Sequence, residues 1–227
     1  MCGMTGVWCS VQQDRLESIT RTMTTTIQHR GPDDSGVWVD DSIGLGLGHR
    51  RLSILDLSLA GHQPMHSSCD HYVIVFNGEI YNHLDLRKQL SVDSRQRQWK
   101  GHSDTETLLA AIDQWGLEVT LKKTIGMFAI ALWDKQTNVL SLARDRMGEK
   151  PLYYGWVNQA FVFGSELKAL KSYPKFSNPI NREALALYLR HAYVPSPFSI
   201  YQAIYKLPAG CRLSLSLDNA QQVPENY

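Results

Sequence analysis

A chain of 227 residues, 43% hydrophobic and 20% charged, holds enough apolar material for one well-filled core or two small ones. Its 23 basic and 22 acidic side chains leave a net charge of +1, without the cationic footprint of a nucleic-acid or acidic-membrane binder. No apolar run approaches the ~20 residues of a membrane span, and the cysteines at 2, 9, 69 and 211 form no Cys-x-x-Cys pair, which predicts reduced thiols and a cytoplasmic location.

The chain opens Met1-Cys2-Gly3. A cysteine second in the chain is a small residue of the kind that permits removal of Met1. That would leave a thiol (pKa ~8.5) and an α-amine (~7.7–8.0) on one residue, hence a nucleophile with its own base. On these three residues alone an ordinary buried cysteine is the simpler reading. Gly3 to Cys9 is small and apolar and predicts a buried strand. Leu16, Ile19, Met23 and Ile27 recur at helical intervals, predicting a helix over 13–27 that its threonines weaken and Gly31-Pro32 ends. Residues 37–39 and 43–48 read as a hairpin turning through Asp40-Asp41-Ser42. The run GLGLGH at 44–49 is not a nucleotide loop, because His49 holds the third glycine position and no helix opens behind it. It reads as a glycine-rich strand. Residues 56–71 are irregular and polar, a candidate functional loop.

Tyr72 to Phe76 predicts a strand running into Asn77-Gly78. The residues behind, 83–90, have helical spacing, so Asn77-Gly78 is expected to be a strand-to-helix junction whose N–H groups point outward towards an anion. Ser103 and Glu106 fit a capping box with Asp104 in the first turn. A hairpin over 126–134 and 139–145, a strand at 160–166, helices near 166–171 and 182–190, and a strand at 211–217 complete the pattern. Strands in two groups with helices between them predict a layered α+β fold rather than a parallel βαβ sheet. The eight histidines are read as holding no metal.

Seven motifs in order then carry a family resemblance: Met1-Cys2-Gly3, HRGPD at 29–33, RRLSILD at 50–56, NGEIYNH at 77–83, SDTE at 103–106, GMFAIALWD at 126–134 and RDRMGEKPLYY at 144–154. Over essentially its whole length the chain resembles the glutaminase domain of glutamine-dependent asparagine synthetases, within the class II (N-terminal nucleophile) glutamine amidotransferases. The resemblance implies a four-layer αββα sandwich of two antiparallel sheets. It implies that Cys2 attacks the side-chain amide of L-glutamine with its α-amine as base, and that Asn77 and Gly78 form the oxyanion hole. Arg51, the arginine directly before Leu-Ser-Ile, is implied to grip the α-carboxylate, with Leu52 and Ile54 lining the substrate site. Glu79 and Asp104 would bind the α-ammonium, while His29 and Arg30 brace the wall. A glutamyl thioester would be hydrolysed to glutamate, with no metal or cofactor in this step.

The Ser-Gly-Gly-x-Asp-Ser loop of the family's ATP-dependent domain does not occur, so ATP and Mg²⁺ are expected only in a further, synthetase domain. Residues 1–227 are expected to be one amidotransferase domain, with a core of about 2–190 and an extension over 191–227 leading to that second domain. Asp145 to Tyr154 is expected to face it. The implied partners are L-glutamine, the synthetase domain and, as an open option, a second copy forming a homodimer; no nucleic acid and no membrane. Two alternatives stand beside this reading. One keeps the chemistry but delivers ammonia to a sugar or surface-polymer precursor, and the other is a non-catalytic interaction module of the same fold.

Overall fold

The computed structural model of the chain describes residues 1–9, 15–92, 98–216 and 223–227. In its first half β1 (Gly3–Cys9) leads to α1 (Leu16–Thr25), the hairpin β2 (Asp34–Asp40) and β3 (Leu45–Arg51), then β4 (Met65–His66) and the long β5 (Tyr72–Ile80). Three helices follow, α2 (His83–Val92), α3 (Asp104–Trp115) and α4 (Leu117–Lys123). Then come β6 (Gly126–Asp134), β7 (Val139–Arg144), β8 (Tyr153–Val157), β9 (Ala160–Gly164), α5 (Leu167–Lys171) and α6 (Arg182–His191). The short strands β10 (Ile204–Lys206), β11 (Cys211–Ser216) and β12 (Glu225–Asn226) end the chain.

The strands form two six-stranded sheets, β10-β8-β9-β1-β3-β2 and β12-β11-β7-β6-β5-β4, in which every pairing is antiparallel. Alternation along each strand sorts its residues between two faces. Met4 and Trp8, Leu45 and Leu47, and Val73 and Val75 meet in the core between the sheets. Val7 and Cys9 turn outward instead, against Leu16, Met23 and Ile27. Ile74, Phe76 and Ile80 pack on Leu86, Leu108, Leu109 and Ile112. The layers are therefore helix, sheet, sheet, helix, as the resemblance implies. Among the described residues no helix is long and apolar enough to cross a membrane.

Local sequence explains why the helices sit where they do. The threonines that weaken α1 return their hydroxyls to carbonyls four residues back, as at Thr20 to Leu16 (2.8 Å) and Thr24 to Thr20 (2.7 Å). The glycines of β3 let that helix settle on the sheet, since a Cβ at Gly46 would lie 2.1 Å from Thr20 Oγ1 and one at Gly48 2.0 Å from Thr24 Oγ1. The helix expected over 13–27 is described from Leu16 to Thr25; its expected start at 13 and 14 lies outside the described residues. Ser103 caps α3 by accepting from Glu106 N at 3.2 Å. Glu106 does not return to Ser103 as a full capping box would; its carboxylate accepts from Lys100 N and Gly101 N at 2.7 and 3.0 Å. Helix α4 follows α3 after Gly116, whose φ of +76° suits glycine. Beyond residue 190 the chain contributes strands to both sheets.

One expectation is corrected. Asn77-Gly78 is not a junction but lies inside β5, opposite Ala129 and Phe128 of β6. Strand pairing overrides the turn signal because glycine alone fits there: a Cβ on Gly78 would stand 2.2 Å from Met127 O and 2.7 Å from Phe128 Cα. The chain leaves the sheet at Tyr81-Asn82, where Asn82 accepts from Ile125 N and donates to Lys123 O, both at 2.9 Å.

Candidate active site

The same alternation that builds the inter-sheet core assembles a cleft at one end of it. Even positions of β1 face inward, so Cys2, just before the strand, continues the row of Met4 and Trp8. Odd positions of β3 face inward, which carries Leu45 and Leu47 on to His49 and Arg51. In β5 the inward row is Val73, Val75, Asn77 and Glu79. Gly3 pairs with Arg50, so continuing the register by one sets Cys2 beside Arg51. A cleft of about 130 Å³ results, and Cys2, Arg51, Leu52, Ile54, Asn77, Gly78, Glu79 and Asp104 all line it.

Cys2 is half-buried, its Sγ accepting from Leu52 N at 3.4 Å and lying 3.6 Å from Leu52 O. Burial raises the thiol pKa, with the Leu52 N–H and the chain's amino terminus pulling the other way. The nucleophile candidate is therefore a neutral thiol at rest and needs a base. Its carbonyl accepts from Arg30 Nε at 2.9 Å, and Arg30 Nη1 in turn holds Glu166 Oε1 at 3.0 Å. His29 reaches the same oxygen at 2.8 Å and Lys168 the other at 3.2 Å. Burial works against the Glu166 charge, but hydrogen bonds from Arg30, His29 and Lys168 outweigh it and hold the pKa down to about 2. HRGPD thus works through Arg30 as a brace on the residue carrying the thiol.

The edge of β5 supplies donors. Phe128 exchanges hydrogen bonds with Asp145 on the far side of β6 (N to Oδ2 3.1 Å, O from N 2.9 Å), so its partner Gly78 occupies a non-hydrogen-bonded position. The Gly78 N–H consequently points off the sheet edge, between two neighbours that are capped: Phe76 N donates to Gln63 Oε1 at 2.7 Å and Ile80 N to Asp104 Oδ2 at 2.8 Å. Beside it, Asn77 is 1% exposed and its Nδ2 has no hydrogen-bond partner. Buried amides are rarely left so, and this one borders the cleft.

Arg51 is buried and donates to Ser58 O at 2.8 Å and to Asp56 O, which ties the loop after β3 to the cleft. Gly61 makes room for it, because a Cβ there would lie 2.0 Å from Arg51 Nη2. Five N–H donors leave the guanidinium capacity for a carboxylate besides. Asp104 is buried at the first turn of α3; burial raises its carboxyl pKa, against the Ile80 N–H that lowers it. A buried carboxylate without a cationic side chain bonded to it favours a cation beside it.

Three participants have no sequence signal. Gln63 joins β5 to α3 by adding a bond from Nε2 to Thr105 Oγ1 at 3.3 Å, yet stands as an isolated glutamine in an irregular loop. His49 is fully buried and pushed down to about 4 by that burial, so it stays neutral and donates Nε2–H to Phe76 O at 3.0 Å, bridging the sheets. Lys150 lines the cleft and places Nζ 3.5 Å from Met1 Sδ.

A family model described as a glutamine amidotransferase domain matches residues 1–227. Two glutamine-hydrolyzing asparagine synthetases of Bacillus subtilis are similar: number 3 is 40% identical over 82% of this chain and 30% of its own length. Number 1 is 37% identical over 96% of this chain and 34% of its own. The chain thus spans about a third of the length of these relatives. Among solved structures, the glutamine phosphoribosylpyrophosphate amidotransferase of Bacillus subtilis superposes with a TM-score of 0.70 over 99% of this chain and 49% of its own, at 20% identity. At that identity the likeness is one of fold.

Proposed function

The chain belongs to the glutamine amidotransferase domain family and is related to the glutamine-hydrolysing asparagine synthetases, and we propose that it hydrolyses L-glutamine to L-glutamate and ammonia through a thioester on Cys2. The observation that carries the proposal is the convergence, on one cleft, of a half-buried thiol, two unengaged N–H donors, a buried guanidinium and a buried carboxylate. Met1, 59% exposed, is removed first, because while it remains the nitrogen of Cys2 is an amide without basicity. The freed α-amine takes the thiol proton as Sγ attacks the amide carbon.

The tetrahedral oxyanion accepts from Asn77 Nδ2 and Gly78 N–H, each such donor being worth roughly 2.7–4 kcal/mol in the transition state. The α-ammonium then gives its proton to the departing nitrogen, which leaves as ammonia. Water, deprotonated by the same amine, attacks the thioester and releases glutamate and the thiol. Arg51 pairs with the substrate α-carboxylate, and Asp104 with Glu79 receives the α-ammonium, so both ends of a free amino acid are read. Leu52 and Ile54 flank the aliphatic part.

In a longer protein of this family the ammonia would pass to an asparagine-synthetase-type partner acting on aspartate, with ATP and Mg²⁺ bound there and not by the residues of this cleft. The test is an intact mass after incubation with 6-diazo-5-oxo-norleucine, a reactive glutamine mimic. Loss of Met1 with one adduct mapped to Cys2 is the expected result. No adduct, or glutamine turnover retained by Cys2→Ala, would overturn the proposal.

A further inference from the structure

We propose that Cys69, His71 and Asp113 form a site for a divalent cation of the zinc class. A thiol, an imidazole nitrogen and a carboxylate oxygen from these three residues lie within 4.8 Å of one another. Cys69 belongs to the turn between β4 and β5, which is closed by Asp70 N donating to Ser67 O at 2.9 Å and Tyr72 N donating to Ser67 Oγ at 3.0 Å. Asp113 rises from the last turn of α3, and Cys69 Sγ meets its Oδ1 at 2.9 Å. Cys69 and His71 lie two positions apart, and the packing of α3 on β5 brings Asp113 to them from 44 positions beyond Cys69.

The surroundings of His71 are those a metal-bound imidazole requires. Its Nε2 engages Asp134 Oδ1 at 2.8 Å, and its ring stacks on Tyr72 with centroids 4.1 Å apart. The same Asp134 oxygen is held by Gln136 N and Thr137 N at 2.9 and 3.1 Å. A carboxylate on the far nitrogen fixes the tautomer and orients the ring, leaving Nδ1 with its lone pair for the cation. Bonds of roughly 2.0–2.3 Å to nitrogen, oxygen and sulfur in a tetrahedron set ligand atoms about 3.3–3.8 Å apart, within roughly an ångström of the observed grouping. Binding is balanced by loss of the thiol proton: Cys69–SH and the cation give Cys69–S–M and H⁺. Cys69 is exposed, so a fourth position opens to solvent. A thiolate selects zinc-like ions over Mg²⁺ or Ca²⁺, which take oxygen ligands. None of the three residues lines the Cys2 cleft, so the site stands or falls independently of the glutaminase proposal.

The experiment is a Co²⁺ titration of the 227-residue chain, followed by the thiolate-to-cobalt charge-transfer band in the near ultraviolet and the visible bands of tetrahedral cobalt. One equivalent is expected, displaced by Zn²⁺. Cys69→Ser should abolish the charge-transfer band with an unchanged circular dichroism spectrum. Asp134→Asn should keep the band but weaken binding about 10–100-fold, and Asp113→Asn should weaken it at least about tenfold. Cys2→Ala should leave it untouched. Absence of the band, its survival in Cys69→Ser, its loss in Cys2→Ala, or unchanged affinity in Asp113→Asn would each overturn the proposal.

Discussion

Asn77→Ala separates catalysis from stability in a way that a merely structural asparagine would not. In the free protein the Asn77 Nδ2 is buried and unpaired, a condition that costs a fold about 1–3 kcal/mol. Truncation removes that cost together with a few packing contacts of similar size, so net stability should change by no more than about 1 kcal/mol. For a chain of this length that is a shift of roughly 2–4 °C in Tm. In the transition state the same nitrogen has a partner, and losing it should cost roughly 2.7–4 kcal/mol, a fall of about 10²–10³ in kcat. KM should move little, because the donor acts on charge that develops after binding. Glutamate release in a coupled dehydrogenase assay gives kcat and KM, and scanning calorimetry gives Tm. A kcat within tenfold of the parent, or a Tm lower by more than about 8 °C, would refute the assignment of this amide to the oxyanion.

Gly78→Ala should hurt both properties, since the added Cβ meets backbone at 2.2 and 2.7 Å and the strand must shift; we expect about 1–3 kcal/mol of destabilisation in denaturant melts and at least a tenfold loss of kcat. Asp104→Asn removes a charge-assisted contact worth about 1.5–3 kcal/mol and should raise KM for glutamine roughly 10–100-fold. Because burial raises the Asp104 pKa, the parent should lose substrate affinity as pH falls through that raised value, and initial-rate profiles of Asp104→Asn should show no such limb. The raised value also means that the folded state favours the protonated acid, a contribution lost as pH rises, so Asp104→Asn should be at least as stable as the parent at neutral pH. Glu166 is the opposite case: held at about 2, it lends stability above pH ~4.5 that is lost as pH falls towards 2. Glu166→Gln should flatten acid melts across that window and, by loosening Arg30 on the Cys2 carbonyl, lower kcat on the order of tenfold.

Local chemistry written along the chain was legible without coordinates. The apolar run of β1, the glycine-rich β3, the Ser103 cap and the hairpin of β6 and β7 each follow from period, propensity or capping within about ten residues. Motif order carried the resemblance, and with it the sandwich and the residues at Cys2, Arg51, Asn77, Gly78, Glu79 and Asp104. Non-local pairing decided the rest. Asn77-Gly78 reads as a turn until β6 is laid beside it, because only the partner backbone at Met127 and Phe128 makes glycine a requirement of the strand. Whether the Gly78 N–H is free depends on Asp145, 67 positions away, occupying the other edge of β6. Gln63, His49 and the meeting of Asp113 with Cys69 and His71 leave no local trace, since each depends on a residue brought in by another element. Sequence alone determined where most of the strands and helices form and which motifs they carry. Only the stacking of two sheets decided which inward-facing rows end at the same cleft, because alternation is a property of one strand and convergence is a property of several.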